Sequence, residues 1–120
     1  LTFGGENTTT QLQIGDGNSA AAMQEGNTDI AGQGNSILQN QIGRFNEVMS
    51  FQTGATNLSE VYQTGDMNIS TNTQLGENNS ILVNQTGSMH SSVLLQNGTK
   101  NAAVNNQSNS SGGSRKWICI

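Results

Sequence analysis

The stretch QTGATNLSEVYQTGDMN, Gln52 to Asn68, states one pattern twice: Gln-Thr-Gly, two variable residues, Asn, then five residues before the next Gln. Carried outward, glutamines stand at 41, 52, 63, 74, 85, 96 and 107, a period of 11. Glycine follows two places on (Gly43, Gly54, Gly65, Gly76, Gly87, Gly98), and Asn five places on (Asn46, Asn57, Asn68, Asn79, Asn101), with His90 in one Asn place. Fixed spacing of this kind marks a repeat architecture, in which each unit buries its face only by stacking on its neighbours.

Upstream the period changes: the step from Gln13 to Gln24 keeps it, but the step from Gln24 to Gln41 is longer. The interval from each Asn to its closing Gln is nevertheless six throughout: Asn7 to Gln13, Asn18 to Gln24, Asn27 to Gln33, Asn35 to Gln41, and so on to Asn101 and Gln107. This alignment yields ten arms of constant length, joined by turns that carry Gly15, Gly26 and the six glycines above and shorten around Gln24–Asn27 and Gln33–Asn35. A rival alignment keeps Gly26 and Asp29 in one full-length turn and deletes an arm. The ten-arm version is preferred because it retains every arm, although it sets Asp29 inside one.

An arm of seven residues spans about 20 Å if extended. Helix is the poorer reading: Asn, Ser, Thr and Gly are weak helix formers, and no apolar i, i+3, i+4 stripe accompanies the repeat. A right-handed coiled coil shares this period, but a glycine in each unit removes it. In a strand, the Asn, the second and fourth residues after it, and the Gln share one face. Those middle columns hold small, aliphatic and amide residues such as Ala20, Ile37, Val48, Ser59, Ile81 and Leu94, and no charge except Asp29. Glu47 and Glu60 fall on the opposite face, so the amide face is the expected interior.

A buried amide left without partners costs about 1–3 kcal/mol per missing bond. Identical amides stacked about 4.8 Å apart can satisfy one another, and a slip of one residue would turn every one of them to the wrong face. Constant amides with drifting apolar residues are thus the signature of stacked β-strands, ten arms that pair into about five strand-turn-strand rungs over residues 1–107, with a tail at 108–120.

Composition narrows the function classes. Only 32% of the 120 residues are apolar, too few for a conventional oily core. The polar bias would fit a disordered tract, but 10% charged residues and a net charge of -4 do not keep a chain open. Four basic residues and a pI near 4.5 exclude a nucleic-acid footprint. Proline is absent, as expected where every backbone N–H is needed in a ladder. No apolar run reaches the roughly 18 residues of a membrane span, and Leu1 at the start is read as the mark of a processed, exported chain. With one His and one Cys, the chain offers no catalytic constellation, metal site or cofactor cradle. His90 is read as a structural replacement for Asn, and the N-x-S/T sequons as products of composition.

The Q-x-G-x-x-N turn, the small residue two after the Asn, the closing Gln and five tandem two-arm units within positions 2–107 resemble curlin, the subunit of bacterial curli amyloid fibres. The resemblance implies an all-β, two-sheet β-solenoid whose open ends add further subunits, secreted through an outer-membrane pore, with a nucleator subunit as partner, into an extracellular cell-surface fibre for biofilm and adhesion. It also implies assembly roles for Asn7, Gln13, Asn18 and Gln24 at one end and Asn101 and Gln107 at the other. Turns such as TGATN and TGDMN lack the family's second glycine, and SNSSGGSRKWICI matches nothing in the repeat. That tail reads as a spacer at Gly112–Ser114 followed by a frayed or accessory end, with Cys119 able to cross-link subunits. A minor nucleating subunit and an ice-binding solenoid are the alternatives, though the threonine columns an ice-binding face needs are broken.

Overall fold

The computed structural model describes residues 2–3, 6–26, 34–109 and 113–119. Its strands are β1 (Thr2–Phe3), β2 (Thr8–Ile14), β3 (Ser19–Gly26), β4 (Ser36–Arg44), β5 (Glu47–Ala55), β6 (Leu58–Asp66), β7 (Ile69–Glu77), β8 (Ser80–Ser88), β9 (Ser91–Thr99), β10 (Ala102–Asn109) and β11 (Ser114–Cys119). Odd strands form one sheet in the order β1-β3-β5-β7-β9-β11, and even strands form the other in the order β10-β8-β6-β4-β2. Every pairing is parallel. The chain therefore crosses from sheet to sheet at each turn and climbs one strand spacing per pair, giving a two-sheet β-solenoid of about four turns.

Register follows the amides. Gln41 pairs with Gln63 and Gln63 with Gln85 in the even sheet, while Gln52 pairs with Gln74 and Gln74 with Gln96 in the odd sheet. From β4 to β9 the burial pattern alternates along each arm, placing the Asn, second, fourth and Gln positions inside. The molecule measures 45 × 27 × 13 Å along its principal axes. Its middle dimension suits six strands stacked at about 4.8 Å.

The interior is mostly polar. Among the described residues 21 polar side chains are buried against 8 apolar ones, so hydrogen bonding rather than apolar burial must hold most of the core together. Val48, Val61, Ile81, Val83, Leu94 and Ala103 form the apolar cluster between the sheets.

Two expectations change. Gln13 pairs with Gln41 and Gln24 with Gln52, each at a sequence separation of 28, where Gln41 and Gln63 are separated by 22. Because β2 bonds directly to β4 and β3 directly to β5, the described sheets hold no arm between them, and the ten-arm alignment gives way to nine repeat arms. Asn27 and Gln33, assigned to the extra arm, lie outside the described residues. At the other end, part of the stretch read as a tail forms β11, which pairs with β9 from Ser114↔Ser91 to Cys119↔Gln96.

Candidate functional site: amide ladders open at the stack ends

The glutamines do two jobs with one side chain. In the even sheet Gln13 Nε2 donates to Gln41 Oε1 (2.8 Å), Gln41 to Gln63 (3.0 Å), Gln63 to Gln85 (2.8 Å) and Gln85 to Gln107 (2.9 Å). In the odd sheet Gln24 donates to Gln52 (3.0 Å), Gln52 to Gln74 (2.7 Å) and Gln74 to Gln96 (3.0 Å). The second Nε2 proton crosses to a carbonyl of the facing sheet: Gln63 to Glu47 O, Gln74 to Leu58 O, Gln85 to Ile69 O and Gln96 to Ser80 O, at 2.9 to 3.1 Å. Each column thus binds rung to rung and sheet to sheet. All seven Gln–Gln bonds point the same way, with Nε2 towards the later rung.

The asparagines stack amide on amide only in part, through Asn46 Nδ2 to Asn18 Oδ1 (3.3 Å) and Asn68 Nδ2 to Asn46 Oδ1 (3.1 Å); most of their bonds go to the backbone. Their Oδ1 accepts the next rung's backbone N–H, as in Asn57 N to Asn35 Oδ1 (3.0 Å), Asn79 N to Asn57 Oδ1 (3.1 Å), Asn68 N to Asn46 Oδ1 (3.0 Å) and Asn101 N to Asn79 Oδ1 (3.1 Å). Their Nδ2 reaches a turn glycine carbonyl: Asn35 to Gly54, Asn46 to Gly65, Asn57 to Gly76, Asn68 to Gly87 and Asn79 to Gly98, at 2.8 to 3.0 Å. The physical reason is position and reach. The Asn stands where the chain reverses and the strand ladder lapses, and its short side chain supplies the turn's missing partners. At the first level, Asn7 Oδ1 accepts from Asn35 N and Asn18 Oδ1 from Asn46 N in the same manner.

His90 reproduces an Asn atom by atom. Its backbone N–H donates to Asn68 Oδ1 (3.1 Å), Nε2 lies 3.2 Å from both Thr86 O and Asn109 O, and Nδ1 accepts from Gly113 N–H (3.1 Å). Nδ1 stands for Oδ1 and Nε2 for Nδ2, so the ring carries its proton on Nε2. The match is legible only once the three partners are known.

The glycines expected in turns, Gly43, Gly54, Gly65, Gly76, Gly87 and Gly98, instead fall one residue inside the ends of β4 to β9, and they stack as columns of their own. Gly15, Gly43, Gly54, Gly65, Gly76, Gly87 and Gly98 have φ between 110 and 123°. A Cβ on Gly65 would lie 1.9 Å from Gly87 O, an atom of the next rung's backbone. Gly26 instead ends β3 opposite Gly54. From Phe45 on, the residue before each Asn or His90 is also left-handed: Phe45, Thr56, Met67, Asn78, Met89 and Lys100 have φ of 55 to 59°.

Sequence reasoning missed Gln11 and Gln39, which form a short ladder of their own: Gln11 Nε2 donates to Gln39 Oε1 (2.7 Å), and Gln39 Nε2 to Ser50 Oγ and Ala21 O (each 3.0 Å). They share the fourth column with aliphatic residues, so composition hid them. Asn72 and Asn105 occupy the same position, yet Asn72 Nδ2 and Asn105 Oδ1 are buried without a hydrogen-bond partner.

At one end of the stack, β2 is the edge of the even sheet and all seven of its residues are exposed, including the ladder residues Gln11 and Gln13. At the other, β10 is the edge, and Gln107 Nε2 donates to Ser91 O (3.2 Å) and Gly113 O (2.8 Å). β11 continues the odd sheet with Gly113, Arg115, Trp117 and Cys119 at the register positions of His90, Ser92, Leu94 and Gln96, so the odd ladder reaches its last amide at Gln96. Comparison with protein-family models, curated proteins and solved structures finds no match.

Proposed function

We propose that this chain is the structural subunit of an extracellular, curli-like amyloid fibre that supports biofilm matrix and adhesion, polymerising head to tail through its amide ladders and strand edges. The observation that carries the reading is the even-sheet ladder, which runs from Gln13 to Gln107 and has its first member exposed on an edge strand. A second copy laid on that edge repeats contacts already made four times within the chain. Such a contact is heterologous and does not close, so it builds a filament. The outer columns of the even sheet support this over an ice-binding reading: one runs Thr10, Leu38, Glu60, Leu82, Val104, and the one with threonine on successive rungs, Ile14, Ile42, Thr64, Thr86, Ser108, holds only two.

The test is incubation of purified chain with thioflavin fluorescence and X-ray fibre diffraction. Growth of fibrils with a meridional reflection at about 4.7–4.8 Å is expected; a chain that stays monomeric, or fibrils lacking that spacing, overturns the reading.

A further inference from the structure

Charge is sorted along the stack. Up to Gly26 the described residues include Glu6, Asp16 and Glu25 and no Lys or Arg, whereas from Lys100 onward they include Lys100, Arg115 and Lys116 and no Asp or Glu. All six are exposed. The acidic group lies at the β2–β3 level and the basic group at the β10–β11 level, so an acidic protein carries a basic end.

Register brings the two ends together. The residues preceding each Asn at the turns entering the even sheet are Glu6, Gly34, Thr56, Asn78 and Lys100. They stack: Gly34 lies against the Glu6 backbone, and Thr56 Oγ1 donates to Asn78 Oδ1 (3.0 Å). Extending the even sheet by one strand sets β2 of a second copy on β10, Asn7 on Asn101, and therefore Glu6 on Lys100. Opposite charges one rung apart at a turn already pair within the chain, since Arg44 Nη2 lies 3.5 Å from Asp66 Oδ2. In the odd sheet the same step sets Ser114–Ile118 against Ser19–Met23. Arg115 and Lys116 then start the strand beside the turn that holds Asp16. That stretch of the β3 edge lies clear of β1, which pairs only with Gln24 and Glu25.

Resting on the assembly reading above, we propose that the basic end docks on the acidic end of a second copy of this chain, with Lys100 of one copy seated on Glu6 of the next as the register key. Exposed charge pairs act mainly on encounter rate and on rejection of wrong partners, and salt screens them within about 10 Å at 0.1 M.

The experiment compares Glu6→Lys, Lys100→Glu and their equimolar mixture in seeded thioflavin elongation at low and high salt, with circular dichroism of each fresh monomer. Glu6→Lys presents Lys at both ends and Lys100→Glu presents Glu at both, so each alone meets like charge. Each is expected to elongate roughly tenfold more slowly than the unsubstituted chain at low salt, the deficit shrinking as salt rises. The mixture, in which every alternating junction is Lys on Glu, recovers the original rate. The neutral pair Glu6→Gln and Lys100→Gln should show a smaller deficit and a shallower salt slope. Single variants that elongate at the original rate, or a mixture as slow as its components, overturn the charge key while leaving fibre formation standing. Absence of fibres from the unsubstituted chain refutes the assembly reading itself.

Discussion

Replacing Gln63 by Met tests whether the ladder rather than apolar burial holds the stack. The side chain is 1% exposed, and Met matches it in length and bulk, so little cavity term enters. Three bonds vanish: Gln63 Nε2 to Gln85 Oε1 (2.8 Å), Gln63 Nε2 to Glu47 O (3.1 Å) and Gln41 Nε2 to Gln63 Oε1 (3.0 Å). Gln41 keeps its bond to Ser19 O, so one of its protons and one Gln85 lone pair are left without partners, while Glu47 O loses its donor from the facing sheet but stays in the β5–β7 ladder. At about 1–3 kcal/mol per buried orphan, with some recovered by added apolar bulk, the loss should be about 2–5 kcal/mol. Gln13→Met at the exposed edge removes only the bond to Gln41 and should cost about 1 kcal/mol or less. Urea unfolding of freshly desalted monomer, followed by circular dichroism, measures both. If Gln63→Met falls within about 1 kcal/mol of the unsubstituted chain, or matches Gln13→Met, the ladder is not what stabilises the fold.

Gly65→Ala, with its Cβ 1.9 Å from Gly87 O and a φ of 119°, should destabilise by about 3 kcal/mol or more in the same assay. Thr56→Gly relieves a β-branched residue held at a φ of 55° but gives up the exposed bond from Thr56 Oγ1 to Asn78 Oδ1 (3.0 Å), for a net gain of about 0.5 kcal/mol; a lowered urea midpoint would contradict this. Asn72→Val, which removes a buried Nδ2 without a partner between Ser50 and Leu94 of the flanking strands and gives up only the long bond from Ser70 Oγ to Asn72 Oδ1 (3.4 Å), should raise stability by about 1 kcal/mol, and a loss there would show that the amide is satisfied. His90→Asn should leave the unfolding midpoint within about 0.5 kcal/mol of the original, whereas His90→Leu, which offers Thr86 O, Asn109 O and Gly113 N–H nothing, should cost about 3 kcal/mol.

What was legible in the sequence is what stacks on itself. The Gln columns and the inward face follow from a spacing that a one-residue slip would destroy, whereas β4 to β9 run nine residues each, three past the Gln expected to close them. The extra arm misled for the converse reason: in a chain this rich in amides, an Asn and a Gln six apart also arise from composition alone. Only the direct pairing of β3 with β5 shows that the described sheets hold no arm between them. β11 was opaque because parallel pairing on β9 uses backbone groups that any residue supplies. Ser114–Cys119 therefore carries no amide signal at all. The left-handed residue before the Asn from Phe45 on was hidden by its variety, since Phe45, Met67 and Lys100 share a dihedral but no chemistry.

Two polarities of independent origin now coincide. Every Gln–Gln bond sends its Nε2 towards the later rung, so Gln13 turns its Oε1 outwards at the β2 edge. Gln107 Nε2 faces the other end, where Gly113 O accepts the proton that an incoming Gln13 Oε1 would take. A head-to-head junction would set acceptor against acceptor and acidic rung against acidic rung; tail to tail would set donor against donor and basic against basic. Head-to-tail stacking alone satisfies both the short-range amide geometry and the longer-range charge. The charge acts first, over about a Debye length, and the amides act only within about 3 Å. Encounter and locking are therefore separable steps: salt should slow the first without weakening the second, and a fibre already formed should resist high salt that retards its growth.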